Sequence, residues 1–355
     1  MKKRIAVVGA GVSGLTAAVV LAERGHDLSI FAEAIGQSTT SGAAAAIWFP
    51  YDAEPADKVI PWALETYKVL VDLSRDPPSG VSMIELRQFS RAGEIQIPDW
   101  ARSLGARRLH HPSIATTTSV ATGSPRDEFV RSATGRIRPT GELAGLRPAP
   151  NLAEGAGDSF KSGFVMTVPL MDTTIYLDYL RERLTKAGAA IHAGARFKAL
   201  EDVDPTFDLV INCAGFGAKT LVHDADLEPH RGQVAIIPKI DNLTSAVVCD
   251  DAPLMYAIPR PHDCILGGTN ELSQDLVVDA ASTTRIVAEC TRVLQIDNPR
   301  VLAERVGIRP FRKSGVCVER DCLRDGRTVI HNYGHGGAGF TLSWGCAREA
   351  VSLIS

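Results

Sequence analysis

Ile5-Ala6-Val7-Val8-Gly9-Ala10-Gly11-Val12-Ser13-Gly14 is a short apolar run that breaks into three glycines and then a helical pattern. The run from Ile5 to Val8 reads as a buried parallel strand, Ser13 to Arg24 as a helix and Asp27 to Phe31 as a second strand, which makes a βαβ unit. Each glycine has its own work in such a turn. Gly9 permits the tight bend, Gly11 lets a pyrophosphate approach the backbone, and Gly14 lets helix and strand pack closely. The helix N-terminus adds free N–H groups and partial positive charge, so the turn predicts a bound dinucleotide. Glu33, about 20 residues on, stands where a carboxylate accepts from ribose hydroxyls and repels a 2′-phosphate, which disfavours NADP. A solvated surface glutamate remains the other reading of Glu33.

Composition sets the class around that unit. The 355 residues exceed one typical domain, and 45% hydrophobic with 22% charged residues is the balance of a soluble globular protein. Lys and Arg total 38 against 41 Asp and Glu, a net charge of −3, so no broad field draws nucleic acid or an anionic membrane. The seven cysteines are scattered without a Cys-x-x-Cys pair, which argues for reduced thiols and against a zinc site. Lys2, Lys3 and Arg4 followed by an apolar run superficially suggest a signal peptide, but glycines interrupt the run at once. A cytoplasmic protein is expected, and the final Ser-Leu-Ile-Ser is not the Ser-Lys-Leu peroxisomal address.

Further along, residues 38–46 contain almost no bulk, which suits either a plain linker or a place where a flat ligand meets the backbone. Pro61 to Asp72 is expected to be helical. Residues 75–160 are rich in Pro, Gly, Ser and Thr with short alternating runs such as Ser82 to Leu86, which suggests an antiparallel sheet. Helical spacing returns between Thr173 and Lys186, followed by buried strands at Ala190-Ile191 and Leu209 to Ile211. Strands are expected again at Gln233 to Ile237, Ala246 to Cys249, Met255 to Ile258 and Cys264 to Gly268, and a final helix from about Thr341 to Ile354. Cys213, after its strand, reads as an inert core thiol.

The second glycine cluster is His331-Asn332-Tyr333-Gly334-His335-Gly336-Gly337-Ala338-Gly339-Phe340-Thr341, with four glycines between Gly334 and Gly339. Placed before a helix, it forms a concave nest of backbone amides that favours negative charge, as on the reduced ring of a flavin. His331 and His335 sit in this segment rather than on a helix, so no metal site is expected.

His331 to Ala347 resembles the C-terminal signature of the D-amino-acid oxidase and D-aspartate oxidase family. Other segments resemble it in the same order, among them Thr39-Thr40 through Trp48, Asn212 to Gly215, Arg231-Gly232-Gln233, Tyr256 to Pro259, Leu266-Gly267-Gly268 and Gly307 to Pro310. Little matches between residues 75 and 160. The resemblance implies an α/β fold: a Rossmann-like FAD-binding domain interleaved with a mixed, largely antiparallel β-sheet substrate domain. The first is placed at residues 1–52, 160–218 and 300–355, the second at 53–159 and 219–299. FAD is expected against Gly9, Ala10, Gly11, Val12, Ser13 and Gly14, Glu33, then Thr40, Ser41, Ala45, Ala46 and Ile47, and finally Gly336, Gly337, Gly339, Phe340 and Thr341.

For the reaction, the resemblance makes Arg309 the bidentate partner of the substrate carboxylate, Tyr256 a hydroxyl assistant and the Gly337 carbonyl an acceptor for the amine. On the residues alone, a surface ion-pair residue is the preferred reading of Arg309 and a half-buried core tyrosine that of Tyr256. The implied activity is oxidative deamination of D-amino acids, with neutral, apolar side chains favoured, to 2-oxo acids, ammonia and hydrogen peroxide by hydride transfer to FAD. D-aspartate oxidase and a flavin-dependent dehydrogenase that does not use dioxygen stay open, as does a homodimer. Two departures from the family stand out. The second active-site tyrosine of its eukaryotic members is Ala252 here, and Phe49 stands where a polar residue is common. Arg260 keeps an acidic substrate open.

Overall fold

The computed structural model describes residues 2–109 and 159–354, so much of the expected sheet-forming stretch at 75–160 lies outside the described residues. Arg4–Val8, Val12–Glu23 and Asp27–Ala32 form the strand, helix and parallel strand expected of the opening. Among the described residues the first sheet has six strands. They run, edge to edge, Cys317–Cys322, Thr328–Tyr333, Leu209–Asn212, Arg4–Val8, Asp27–Ala32 and Ala190–Ala193. All neighbours are parallel except the first two, which form a hairpin. Arg4–Val8 lies inside the sheet with layers on both faces, which explains its unbroken apolar run: a parallel strand covered on both sides has no polar face to show.

The helix Val12–Glu23 packs on this sheet alongside the C-terminal helix Gly339–Ser352, which also meets it, and against Thr173–Lys186. It is therefore buried on more than one side, with Leu15, Ala17, Ala18 and Leu21 all inaccessible. The helix expected from Pro61 begins earlier and runs Ala56–Leu73. Pro61 can sit inside it because it lies on the exposed side, where water can satisfy the carbonyl its missing N–H leaves unpaired. On its other side Thr66 Oγ1 accepts from Gly345 N–H at 2.9 Å and Trp62 Nε1 donates to Glu349 at 2.9 Å, tying the two helices together.

The second sheet is built from Val81–Ser90, Ser162–Met171, Leu227–Pro238, Ser245–Cys249, Met255–Pro259, Asp263–Gly267 and Ala303–Arg312, with short pieces at Arg107–Arg108 and Glu271–Leu272. Its pairs are antiparallel apart from Val81–Ser90 with Ser245–Cys249, giving the mixed, largely antiparallel character expected. One face is covered by Ala280–Leu294, which seats Ile286, Val287, Cys290 and Val293 on Ala235, Val247, Ala257 and Leu266. The opposite face turns toward the nucleotide unit.

Two strands fall on the other side of the sequence boundaries. Ser162–Met171 and Ala303–Arg312 lie within the stretches assigned to the nucleotide unit, yet they hydrogen-bond to Val81–Ser90 and Leu227–Pro238 in the second sheet. Ser162–Met171 is buried almost throughout, so in sequence it looks like a parallel core strand. Its ten-residue antiparallel partnership, longer than the short run expected at Ser82 to Leu86, is a long-range fact. The chain crosses between the units at Ile47, which bridges to Leu170, and at Trp48, whose N–H donates to Pro169 O at 2.9 Å.

Candidate active site

The first turn is closed by contacts that only glycine allows. Gly9 has φ +113°, and a Cβ on it would lie 2.2 Å from Cys213 O at the end of the neighbouring strand. A Cβ on Gly14 would lie 1.9 Å from Gly9 O. Neither Gly11 nor Ala338, the residues that begin the two flanking helices, supplies a side-chain cap, so first-turn N–H groups remain for a ligand. Val12 N–H meanwhile donates to Ser41 Oγ at 2.9 Å.

These turns line one elongated cavity of about 540 Å³, a size usual for a ligand site. Every residue expected to touch the cofactor lines it except Gly14, whose contact with Gly9 makes it a packing residue. The bulk-free stretch 38–46 is therefore, apart from Gly42, cavity wall and not a plain linker. Glu33 lines the same cavity and also pairs with Arg196 at 2.6 Å; both side chains are mostly exposed, so that pair is weak and exchangeable. The cradle shaped by missing Cβ atoms at one end and an uncapped helix start at the other fit the two ends of FAD.

At the second glycine cluster, Thr341 Oγ1 accepts from Phe49 N–H at 3.1 Å and donates to Phe49 O at 2.9 Å, fixing the wall segment to the C-terminal helix. His335 lies between Ser13 Oγ at 3.4 Å and Asn332 Oδ1 at 3.0 Å. Burial pushes its pKa down to about 4, so the ring is neutral, with Nε2–H donating to Asn332. His331 Nδ1 is 3.2 Å from the Asn212 amide. His335 thus serves the hydrogen bonding of the cavity wall, while His331, which does not line it, pairs with Asn212 behind it. Burial pushes the Cys213 thiol up to about 12, as an inert core thiol requires.

The far end of the cavity is set by the inner face of the second sheet. Tyr256 pairs across the strands with Gly267 and with Val248, and Val248 pairs with Gln88. The period-two pleat therefore turns Gln88, Val248, Tyr256 and Ile258 toward one face, and all line the cavity. Glycines clear the floor for the two large polar groups. A Cβ on Gly267 would lie 2.0 Å from Tyr256 Cζ, and one on Gly232 would lie 2.5 Å from Arg309 Nη1. Arg309 Nη1 donates to Thr269 O at 2.9 Å and approaches Asn270 Oδ1 at 3.4 Å. Gly337 sits between Tyr51 and Arg309, since its Cβ would meet Tyr51 Cδ1 at 2.9 Å and Arg309 Cδ at 3.5 Å. The three residues assigned to substrate from the sequence, Tyr256, Arg309 and Gly337, thus meet at one place.

Three residues there were given no site role from the sequence. Tyr51 supplies a second phenol from the nucleotide side, although Ala252 leaves the expected tyrosine position empty of a ring. Burial, reinforced by Asp250 and Asp52, pushes its pKa up to about 12, while Arg309 opposes the shift. Gln88 and Asp250 line the cavity as well, with Gln88 Nε2 donating to Asp250 Oδ2 at 2.8 Å. The alternation around Ser82 to Leu86 was the available signal for Gln88. Arg260 corrects an expectation: it is buried, forks onto Asp263 at 2.6 Å and 2.6 Å with Asp172 at 3.8 Å, and does not line the cavity. Its charge is already matched, so it offers nothing to an acidic substrate.

Among the described residues no group of three or more His, Cys, Asp or Glu could hold a metal, and no helix is long and apolar enough to cross a membrane. The chain is 36% identical to a D-amino-acid oxidase of Streptomyces coelicolor, over 99% of this chain and 96% of that one. It is 34% identical to a D-amino-acid oxidase of Rubrobacter xylanophilus, over 99% and 95%. In fold it resembles the crystal structure of glycine oxidase from Geobacillus kaustophilus, with a TM-score of 0.73 at 15% identity over 99% of this chain and 95% of that one. A sequence model of the FAD dependent oxidoreductase family matches residues 4–353, and with a glycine-cleared dinucleotide cradle joined to an Arg309–Tyr256 pocket, the chain belongs to that family.

Proposed function

We propose that this chain oxidises D-amino acids to 2-oxo acids, ammonia and hydrogen peroxide, with dioxygen as acceptor. The observation that carries the reading is the Arg309 guanidinium lodged over Gly232 beside the Tyr256 phenol, at the end of a dinucleotide cavity. The D-amino-acid oxidase relatives support it across their whole length. FAD, which the turns at Gly9 to Ser13 and Gly336 to Thr341 would hold, would supply the two-electron acceptor and the route by which the pair reaches dioxygen.

The protein's own residues bind and orient. Arg309 forks onto the α-carboxylate, for which a planar guanidinium anchored at Nη1 is suited. Tyr256 and Tyr51, both protonated at neutral pH, donate to that carboxylate or its neighbourhood. The Gly337 carbonyl accepts from the α-amine, holding its lone pair toward the α-carbon as the C=N bond forms. Loss of the α-hydrogen with its electron pair leaves an imino acid, to which water adds and from which ammonia departs. Catalysis then rests on position and polarity rather than on a general base. Phe49, Leu86, Val248, Leu254 and Ile258 offer apolar walls to the side-chain stem. We place the enzyme in a reducing, cytoplasmic setting, supported by seven unpaired cysteines.

Anaerobic mixing of the yellow protein with both enantiomers of alanine, methionine and aspartate tests the reading. Bleaching by the D-forms of the neutral pair, with peroxide on admitting air, is expected. No bleaching by any D-amino acid would overturn it, and bleaching without peroxide would point to a dehydrogenase.

A further inference from the structure

The cavity contains a carboxylate that the proposed reaction does not use. Asp250 follows the strand Ser245–Cys249 and, two residues after Val248, falls on the same face of the pleat. Its side chain keeps accessible surface and lines the cavity. Its hydrogen bond comes from Gln88 Nε2 at 2.8 Å, and among the described residues no cation pairs with it. Both phenols feel it together with Arg309: Tyr51 and Tyr256 each lie within the fields of this carboxylate and that guanidinium.

The segment carrying Asp250 is tied down. Its neighbour Asp251 accepts at Oδ2 from Ser90 Oγ at 2.8 Å, Arg91 N–H at 2.6 Å and Ala92 N–H at 3.0 Å. Arg91 Nη1 donates to Asp251 O at 3.0 Å and Pro253 O at 2.8 Å, and Nη2 to Glu289 at 2.5 Å. The stretch from Cys249 to Pro253 is thus held to the strand Val81–Ser90 and the helix Ala280–Leu294. A fixed acceptor loses little entropy when it engages a ligand.

The cavity therefore presents together a guanidinium at Arg309, apolar walls at Leu86, Val248 and Leu254, and a carboxylate at Asp250 that no cation among the described residues pairs with. We propose, resting on the D-amino-acid reading above, that Asp250 is a specificity-determining residue that selects D-amino acids whose aliphatic side chain ends in a cation, of the lysine and arginine kind. The stem of such a side chain suits the walls at Leu86, Val248 and Leu254, and its charged tip meets Asp250.

Steady-state turnover of D-lysine and of D-norleucine, which has the same length of stem without the charge, is measured on the wild type and Asp250→Asn. The kcat/KM ratio of D-lysine to D-norleucine is expected to fall at least about tenfold in the variant. A ratio unchanged within about twofold overturns the proposal. So does a parallel loss for both substrates, which would mean that Asp250 contacts the α-amine. Binding of 6-aminohexanoate against hexanoate, followed by the flavin absorption band of the wild type, gives a readout that needs neither turnover nor a variant. Preference for the amino form is expected, and equal affinity overturns the proposal. If no D-amino acid is turned over, the activity fails while this binding comparison still decides Asp250.

Discussion

Tyr256 and Gly267 face each other across two antiparallel strands so closely that a Cβ on the glycine would lie 2.0 Å from the tyrosine Cζ and 2.5 Å from its hydroxyl. The phenol occupies the space of the missing methyl. Gly267→Ala is therefore expected to displace the ring and raise KM for a good D-amino acid about tenfold or more, while flavin content stays at the wild-type level. Tyr256→Phe keeps the ring in place and should cost less, on the order of the 0.5–1.5 kcal/mol of one hydrogen bond. If Gly267→Ala leaves KM where it was, the tyrosine does not report on substrate.

Arg309 is the one guanidinium lining the cavity among the described residues. Two charge-assisted hydrogen bonds to a carboxylate contribute about 1.5–3 kcal/mol each, so Arg309→Leu should lower kcat/KM at least about 100-fold, mostly through KM. Arg309→Lys should recover only part of this, because an ammonium has no planar fork. Steady-state kinetics on protein with full flavin occupancy make the comparison. Equal activity of the Leu and wild-type proteins would remove Arg309 from the site.

Gly14 tests the cradle without touching its lining. A Cβ there would stand 1.9 Å from Gly9 O, and only backbone movement could relieve it. Gly14→Ala is expected to lose at least about 2 kcal/mol of stability and to be purified largely without FAD. A flavin-to-protein absorbance ratio equal to that of the wild type would show that strand and helix can part at no cost.

His335 gives the protein a pH dependence with a definite sign. Burial lowers its pKa from 6.5 to about 4 in the folded protein, whereas the unfolded chain keeps the ordinary value. The unfolded state therefore binds more protons between these values. Stability is complete above about pH 6.5 and declines as pH falls toward about 4, where the folded state begins to take up the proton too. The decline should reach about 2 kcal/mol between pH 7.5 and pH 5. Denaturant midpoints at the two pH values, compared with those of His335→Gln, measure it. The variant should show a smaller decline; equal declines would place the effect elsewhere.

The ends of the chain were legible in sequence because local rules govern them. A strand, three glycines and a helix need no distant partner to be read, and Gly9 and Gly14 occupy the backbone positions that their spacing implies. The second cluster was equally plain, since Gly336 and Gly337 precede a helix that begins without a side-chain cap. The middle was harder for a physical reason. Ser162–Met171 is buried almost throughout, and nothing local distinguishes a strand covered by helices from one covered by another sheet. Arg309 looked like a surface residue because the room made for it comes from Gly232 on another strand. Tyr51, in a segment that resembles the family, and Asp250, in the short acidic stretch Ala246 to Met255, received no site role for the same reason: each reaches the cavity through pairing or packing with residues far away in the chain. Arg260 drew attention by its charge alone, and only its neighbours Asp263 and Asp172 reveal that the charge is spoken for.

The cavity takes its walls from both extremes of the chain, from Gly9 to Ser13 and from Asn332 to Thr341, and the last helix packs on the first. During biosynthesis the opening βαβ unit leaves the ribosome hundreds of residues before its partner segment exists. The nascent chain must therefore wait with half a binding site, and cofactor capture can follow only once translation has passed Thr341. Loading with flavin would then report a polypeptide made at least as far as Thr341: chains cut short before residue 339 should emerge colourless, however well their opening βαβ unit has formed.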